Sequence, residues 1–394
     1  MRVEPRLVDM KGVGRARIAL LAALALAALS LPATSAGKWT VPGRGFGHGV
    51  GMSQYGTYGY AKQGRPYKKI LRHYFEGTQV ADTEPREIRV LITTGLGSLP
   101  FTGARKACGR QLKESRSYSF ALSGSGVSLR RANGAMIAAC GDEGSARGGR
   151  SVTFSGVGAY RGALIGRAVA GSVYAINRVG LDGYVKGVMP NEVIASWPRA
   201  ALRAQAVAAR SYALATRIGG DGYDLYDDTR SQVYGGYSSE EPQTNAATDD
   251  TAREVVKHNG HIATTYFFSA SGGRTENAEF GFPGGIPRPY LKSQSDPYDD
   301  TSSLHRWKLH FTNAEMASKL GDLFAGKLQQ IRILKTGISP RIVRARVIGS
   351  QDSTTVSGAA LQYRLGLRST WAKFRKGSAQ AGGGGGGGGG VPGG

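Results

Sequence analysis

Apolar positions recur along this chain with two spacings, and the spacing changes from segment to segment. Tyr67, Ile70, Leu71 and Tyr74 fall at i, i+3, i+4 and i+7, one face of a helix that Gly77 stops. The run EIRVLITT, which begins at Glu87, alternates as a strand does. From about 97 to 158 glycine and serine punctuate short β-like runs, SYSFALSG and RSVTFSG. Residues 160–178 read as two strands joined by a turn at Gly171. Residues 199–218 are rich in alanine without glycine or proline, a strong helix, with Ser196 as its N-cap and Pro198 in its first turn. Leu202, Ala206, Ala209, Ala213 and Thr216 share one face of it, and Arg203 and Arg210, seven apart, share one side. A helix with Thr244 and Ala252, a hairpin over EVVKHNGHIATTYFFSASGGRT, a helix at 313–324 and strands at 331–349 and 361–375 complete the pattern. Helices interleaved with antiparallel hairpins predict the α+β class: mixed, largely antiparallel sheets with a few helices around a substrate cleft, and a small β-rich subdomain.

Composition adds a compartment. The 394 residues suffice for one large domain or two modest ones, and 40% hydrophobic residues support a sizeable core. The formal net charge of +23 predicts a polyanionic partner. Residues 18–31, IALLAALALAALSL, follow Arg15 and Arg17 and precede PATSA, the order of a secretory signal peptide, here 1–36. The run is short for a membrane span, and an uncleaved anchor is the alternative. Met10 offers a cleaner start than Met1, because it omits the acids of MRVEPRLVD. Export points the charge toward an anionic cell envelope, with a secreted or cell-wall location, and away from nucleic acid. Neither zinc-finger spacing nor an RNP-like aromatic string is present. Outside the cell, Cys108 and Cys140 form one disulfide; two buried thiols are the other reading. Residues 37–80, 81–158 and 159–376 then form a glycine-rich block with its helix, the β-rich subdomain and the main core, and 377–394 a glycine-rich disordered tail.

Few residues are placed for chemistry. Most acids sit in polar loops such as DGYDLYDD and SSEEP. Glu192 is different, because Met189, Val193, Ile194 and Trp197 surround it in sequence, and an apolar wall favours a protonated carboxyl. It reads as a general acid, or as a helix cap or a partner of Arg203. The stretch GRGFGHGVGMSQYG, residues 43–56, lacks the Lys-Ser/Thr end of a phosphate loop. It suits the lining of a saccharide cleft, with His48, Ser53 and Gln54 as polar groups and Tyr55 as a stacking face; the alternative is a structural turn whose His48 bonds backbone. HNGH at 258–261 reads as a hairpin turn rather than a ligand pair. The six histidines are scattered, and no metal site or cofactor is expected.

Several blocks resemble the sporulation stage II protein D family (SpoIID, with the amidase enhancer LytB): GRGFGHGVGMSQYG with AKQGRPYKKILRHYFEGTQV, GLDGYVKGVMPNEVIASWPRAALRAQAVAARSYAL, SQVYGG, YFFSASGGRT and YRLGLRSTW. They cover about 41–80 and 160–375. The resemblance implies a peptidoglycan lytic transglycosylase that cuts between N-acetylmuramic acid and N-acetylglucosamine and leaves a 1,6-anhydro sugar. Glu192 matches the family's catalytic glutamate. His48, Ser53, Gln54, Arg203, Gln205, Arg210, Gln232, Tyr234, Ser269 and Ser271 become candidate substrate contacts, with Gln205 and Arg210 alternatively structural links. Implied partners are peptidoglycan glycan strands, anionic wall polymers and a cell-wall amidase. The competing expectation is a non-catalytic wall-binding module that enhances such an amidase. The order of the blocks departs from the family, where the GHGVGMSQ block follows the segment corresponding to YRLGLRSTW. Here it comes first, as in a circular permutation, so residues 41–80 must pack back beside 361–375.

Overall fold

The computed structural model describes residues 38–377, apart from position 221; the signal peptide read at 1–36 and the tail from 378 onward lie outside the described residues. The largest sheet has eleven strands. Its main path runs through Leu225–Tyr226, Glu87–Leu96, Ser172–Gly180, Ala163–Val169, Glu143–Phe154, Ser98–Ala107, Tyr118–Ser123, Gly126–Arg131 and Met136–Ala139. Its pairings are antiparallel apart from the short parallel contact of Leu225–Tyr226 with Val90 and Leu91. The segment 97–158 is thus an extension of the central sheet, because the Glu143–Phe154 strand pairs on one side with Ser98–Ala107 and on the other with Ala163–Val169. Cys108 and Cys140 are joined by a disulfide with their Cα atoms 5.3 Å apart. Closing a 32-residue loop removes unfolded-chain entropy worth about 3–4 kcal/mol.

Among the described residues eight helices accompany the sheets: α1 (Gln54–Lys62), α2 (Tyr67–Tyr74), α3 (Leu181–Glu192), α4 (Arg199–Ala215), α5 (Pro242–Asp250), the single turn α6 (Ala278–Gly281), α7 (Asn313–Leu320) and α8 (Gly358–Leu365). Among the described residues no helix is long and apolar enough to cross a membrane. The architecture is α+β.

The alanine-rich α4 is buried on two sides. Leu202, Ala206, Ala209 and Ala213, on the face the spacing predicts, enter the core of the large sheet. Ala201, Ala204, Val207 and Ala208 enter a second core with Ile70, Leu71 and Tyr74 of α2. Small side chains on both faces let α4 sit between two layers without voids. A third core joins Trp39 and Val41 to α7, α8 and the strands of 330–357.

Two local readings change, and one helix is added. Residues 361–375 do not form a strand. Leu361 and Leu365 are four apart and both buried in α8, whose start the Ser357 hydroxyl caps and whose end Gly366 closes at φ 64°. Only Arg375–Lys376 forms a paired strand, with Ala372 making a single bridge to Gly43. Residues 181–192 form α3 although Gly183, Gly187 and Pro190 interrupt them, because Leu181, Tyr184, Val185, Val188 and Met189 bury one helical face. Helix α4 starts at Arg199 behind Pro198, with no side-chain cap; Ser196 is exposed in the preceding turn.

The early glycine block does lie beside the late segment. The Lys38–Arg44 strand pairs with Arg306–Thr312 on one side and with Arg375–Lys376 on the other. The Arg44 amide donates to the Trp371 carbonyl and the Gly47 amide to that of Arg368, each at 3.0 Å.

Candidate active site

Glu192 is the last residue of α3. A helix end that buries its final carbonyls needs partners for them, and Gln54 supplies one: its Nε2 donates to the Glu192 carbonyl at 3.0 Å. Gln54 is placed by its own helix. Ser53 is the N-cap of α1, its hydroxyl accepting from the Gly56 amide at 3.1 Å. Tyr55 and Tyr58 then pack on Trp197, with ring centroids 5.2 and 5.1 Å away, and lock the glycine block to the loop after Glu192. Burial pushes the Glu192 carboxyl from its usual 4.5 up to about 7, against hydrogen bonds from the Val233 amide and the Gln54 side chain. The carboxyl end of a helix also disfavours a negative charge. Near neutral pH this carboxyl therefore holds a proton about half the time.

Two cavities meet at Glu192. One, of about 740 Å³, is lined by Gln54, Tyr55, Asn191, Trp197, Ser239 and Gln243 among others. The other, of about 440 Å³, is lined by His48, Tyr212, Gln232, Val233 and the aromatic rings of Tyr266, Phe267, Phe268 and Phe282. Glu192 and Ser269 line both. The larger cavity holds one further carboxylate, that of Glu241, exposed just before α5. Among the described residues no group of three or more His, Cys, Asp or Glu is placed to hold a metal ion.

The structure sorts the sequence candidates. Gln54, Gln232 and Ser269 line the cleft. His48 does too, but both its ring nitrogens are taken by backbone. Nδ1 accepts from the Val50 amide at 3.0 Å, so Nε2–H donates to the Phe267 carbonyl at 3.1 Å. Burial lowers its pKa to about 4. His48 is a neutral brace of the cleft wall and is not a proton shuttle.

The remaining candidates support the scaffold. Ser53 and Ser271 are fully buried and hydrogen-bond to buried Asp296, and neither lines the cleft. Arg210 is fully buried, with its guanidinium on Asp182 at 2.6 Å and on the carbonyls of Glu254 and Thr248. Arg203 pairs with Asp250 at 2.7 Å and lines neither cavity. Gln205 is buried within α4 and lines neither. Tyr234 stacks on Tyr184 and donates to Asn177 Oδ1 at 2.7 Å in the core. All six were candidate substrate contacts, Gln205 and Arg210 alternatively structural links, and here burial or an internal partner keeps each of them out of the cleft.

Sequence reasoning missed Tyr212, Val233 and Phe282, which come from separated segments. Only the YFF run carried a signal, and alternation there spoke for a strand.

Residues 169–258 match the SpoIID family model, described as stage II sporulation protein. An uncharacterized protein of Brachyspira hyodysenteriae is 30% identical over 212 residues, 47% of this chain and 57% of that protein. Stage II sporulation protein D of Bacillus subtilis is 31% identical over 213 residues, 50% of this chain and 60% of that protein. The amidase enhancer of Bacillus subtilis is 37% identical over 139 residues, 35% of this chain and 18% of that protein. The chain thus spans less than two thirds of these relatives' own lengths. The matched core includes α3, Glu192 and α4. With its motif blocks assembled around that glutamate, the chain is similar over this core to the SpoIID/LytB family, and its named relatives point to a cell-wall-related role.

Proposed function

We propose that this protein is an exported lytic transglycosylase that cleaves peptidoglycan glycan strands. The carrying observation is Glu192, a carboxyl with its pKa raised to about 7, at the junction of two cavities. A cleaving acid needs sugar units on both sides of the bond it protonates. Glu192 gives its proton to the glycosidic oxygen as the bond to the anomeric carbon breaks. The C6 hydroxyl of the same sugar then attacks that carbon, and its proton passes to the Glu192 carboxylate. A 1,6-anhydro ring forms, the acid is restored and no water is consumed. The aromatic wall of the smaller cavity suits stacking on a sugar face. Gln232 supports the same reading. Its Oε1 accepts from Tyr184 at 3.1 Å, which fixes this amide in the wall of the smaller cavity. The disulfide agrees with an oxidising compartment.

The likeness to a protein named amidase enhancer carries a second reading, a wall-binding module that stimulates a cell-wall amidase. Sugar release from peptide-free glycan, measured for the wild type and Glu192→Gln, separates the two. The first reading expects release by the wild type and a loss of about 10²–10⁴-fold or more in the variant. Binding of wall by both proteins with release by neither would leave the second.

A further inference from the structure

A third cavity, of about 690 Å³, opens on the sheet formed by Arg306–Thr312, Lys38–Arg44 and Arg375–Lys376. The registers decide which residues share its outer face. Gly43 pairs with Trp307 and bridges to Ala372, while Trp39, Val41 and Ala372 are buried in the core below. Alternation therefore puts Arg44, Arg306, Lys308, Trp371, Lys373 and Arg375 on the opposite face. All of them line the cavity, with Pro42 and Pro340, and no acid does. Arg44 lies directly across from Arg306, a like-charge cross-strand pair that costs stability unless an anion covers it. Among the described residues none of the five cations forms an ion pair.

The frame is rigid. A Cβ at Gly43 would fall 2.1 Å from the Trp307 ring, so only glycine lets that indole lie on the strand, and its Nε1–H is tied to the Gly45 carbonyl at 2.8 Å. The Arg44 guanidinium stands 5.4 Å from the Trp371 ring centroid. The cavity also adjoins the Glu192 cleft. From Arg44 the chain runs on to Phe46 and His48, which line that cleft. The buried Arg341 guanidinium lies 5.4 Å from the Trp371 ring and 5.9 Å from that of Phe268 in the cleft wall.

We infer that this basic, tryptophan-bearing face is a binding site for an anionic saccharide chain, one whose sugars carry phosphate or carboxylate groups. Cations take the acidic groups and Trp371 offers a ring to a sugar face. Its placement beside the cleft rests on the glycan-cleaving reading, and it would hold the charged polymer while Glu192 acts on a neighbouring strand.

The test is binding without cleavage. Tryptophan fluorescence of the full chain is titrated with polygalacturonate, polyglycerol phosphate, neutral dextran and double-stranded DNA. The same titrations use Arg306→Ser/Lys308→Ser/Lys373→Ser/Arg375→Ser and, separately, Trp371→Ala. Saturable binding of either acidic polymer, weakened at least about tenfold by the quadruple substitution and absent with dextran, is the expected result. Preference between the two acidic polymers tells carboxylate from phosphate. Equal binding of DNA, or binding of both acidic polymers unchanged in both variants, would overturn the assignment. Because the readout needs no cleavage, an inactive Glu192 leaves it intact, and its failure leaves Glu192 untouched.

Discussion

Glu192 carries opposite demands. Its carboxyl sits where burial favours the neutral form, with a pKa of about 7 against the usual 4.5. Cleavage that needs the protonated acid should fall about tenfold per pH unit above 7, measured as kcat/KM on peptide-free glycan. The same shift affects stability. Between about 4.5 and 7 the folded state binds the proton more tightly than the unfolded chain, so stability declines as pH rises through that window. Glu192→Gln should therefore equal the wild type in melting temperature at pH 4. At pH 8 it should exceed the wild type by about 1–3 kcal/mol, after allowance for partial exposure. A variant less stable than the wild type at pH 8 would contradict the buried-acid account. Arg210 is the reverse case. Arg210→Ala strands the carbonyls of Thr248 and Glu254 and unpairs Asp182, and should cost about 3–5 kcal/mol in denaturant melts. Pattern alone marked both residues as polar positions near a strong helix. Only packing told a residue of the cleft from one of the core, because Arg210 and Glu192 reach their partners through segments far away in sequence.

At the scale of elements, periodicity was legible where a stretch had one buried face and ordinary residues, as in α2, α4 and the strands of the large sheet. It failed where glycine or proline served packing. In α1, a Cβ at Gly56 would fall 2.2 Å from the Tyr74 hydroxyl, and one at Gly59 would fall 2.0 Å from the Tyr298 carbonyl. These glycines read as a loop, yet they allow a helix to lie close against its neighbours. Gly59→Ala should lower stability by about 1–3 kcal/mol, seen as a drop in melting temperature. An unchanged melting temperature would mean that α1 does not pack as described. The segment 361–375 failed for another reason. Its leucines are four apart but too few to outweigh the polar residues between them, and the end of α8 is set by Gly366 rather than by any hydrophobic period.

The whole molecule joins an early glycine block to a late segment, and that closure completes the cleft. Gln54 from residues 43–56 touches Glu192, while Arg368 and Trp371 hold the strand that leads into the block. The net charge of +23, part of it concentrated on the Arg44–Arg306–Lys308 face, favours adsorption to an anionic wall and should be screened by salt. The most direct test of the central claim is the mass of the sugars released from peptide-stripped peptidoglycan by the chain from Lys38, with Glu192→Gln in parallel. The account predicts 1,6-anhydro-muramyl ends, one water lighter than hydrolysed ends, from the wild type alone. Reducing ends bearing the added water, or identical products from both proteins, would contradict it.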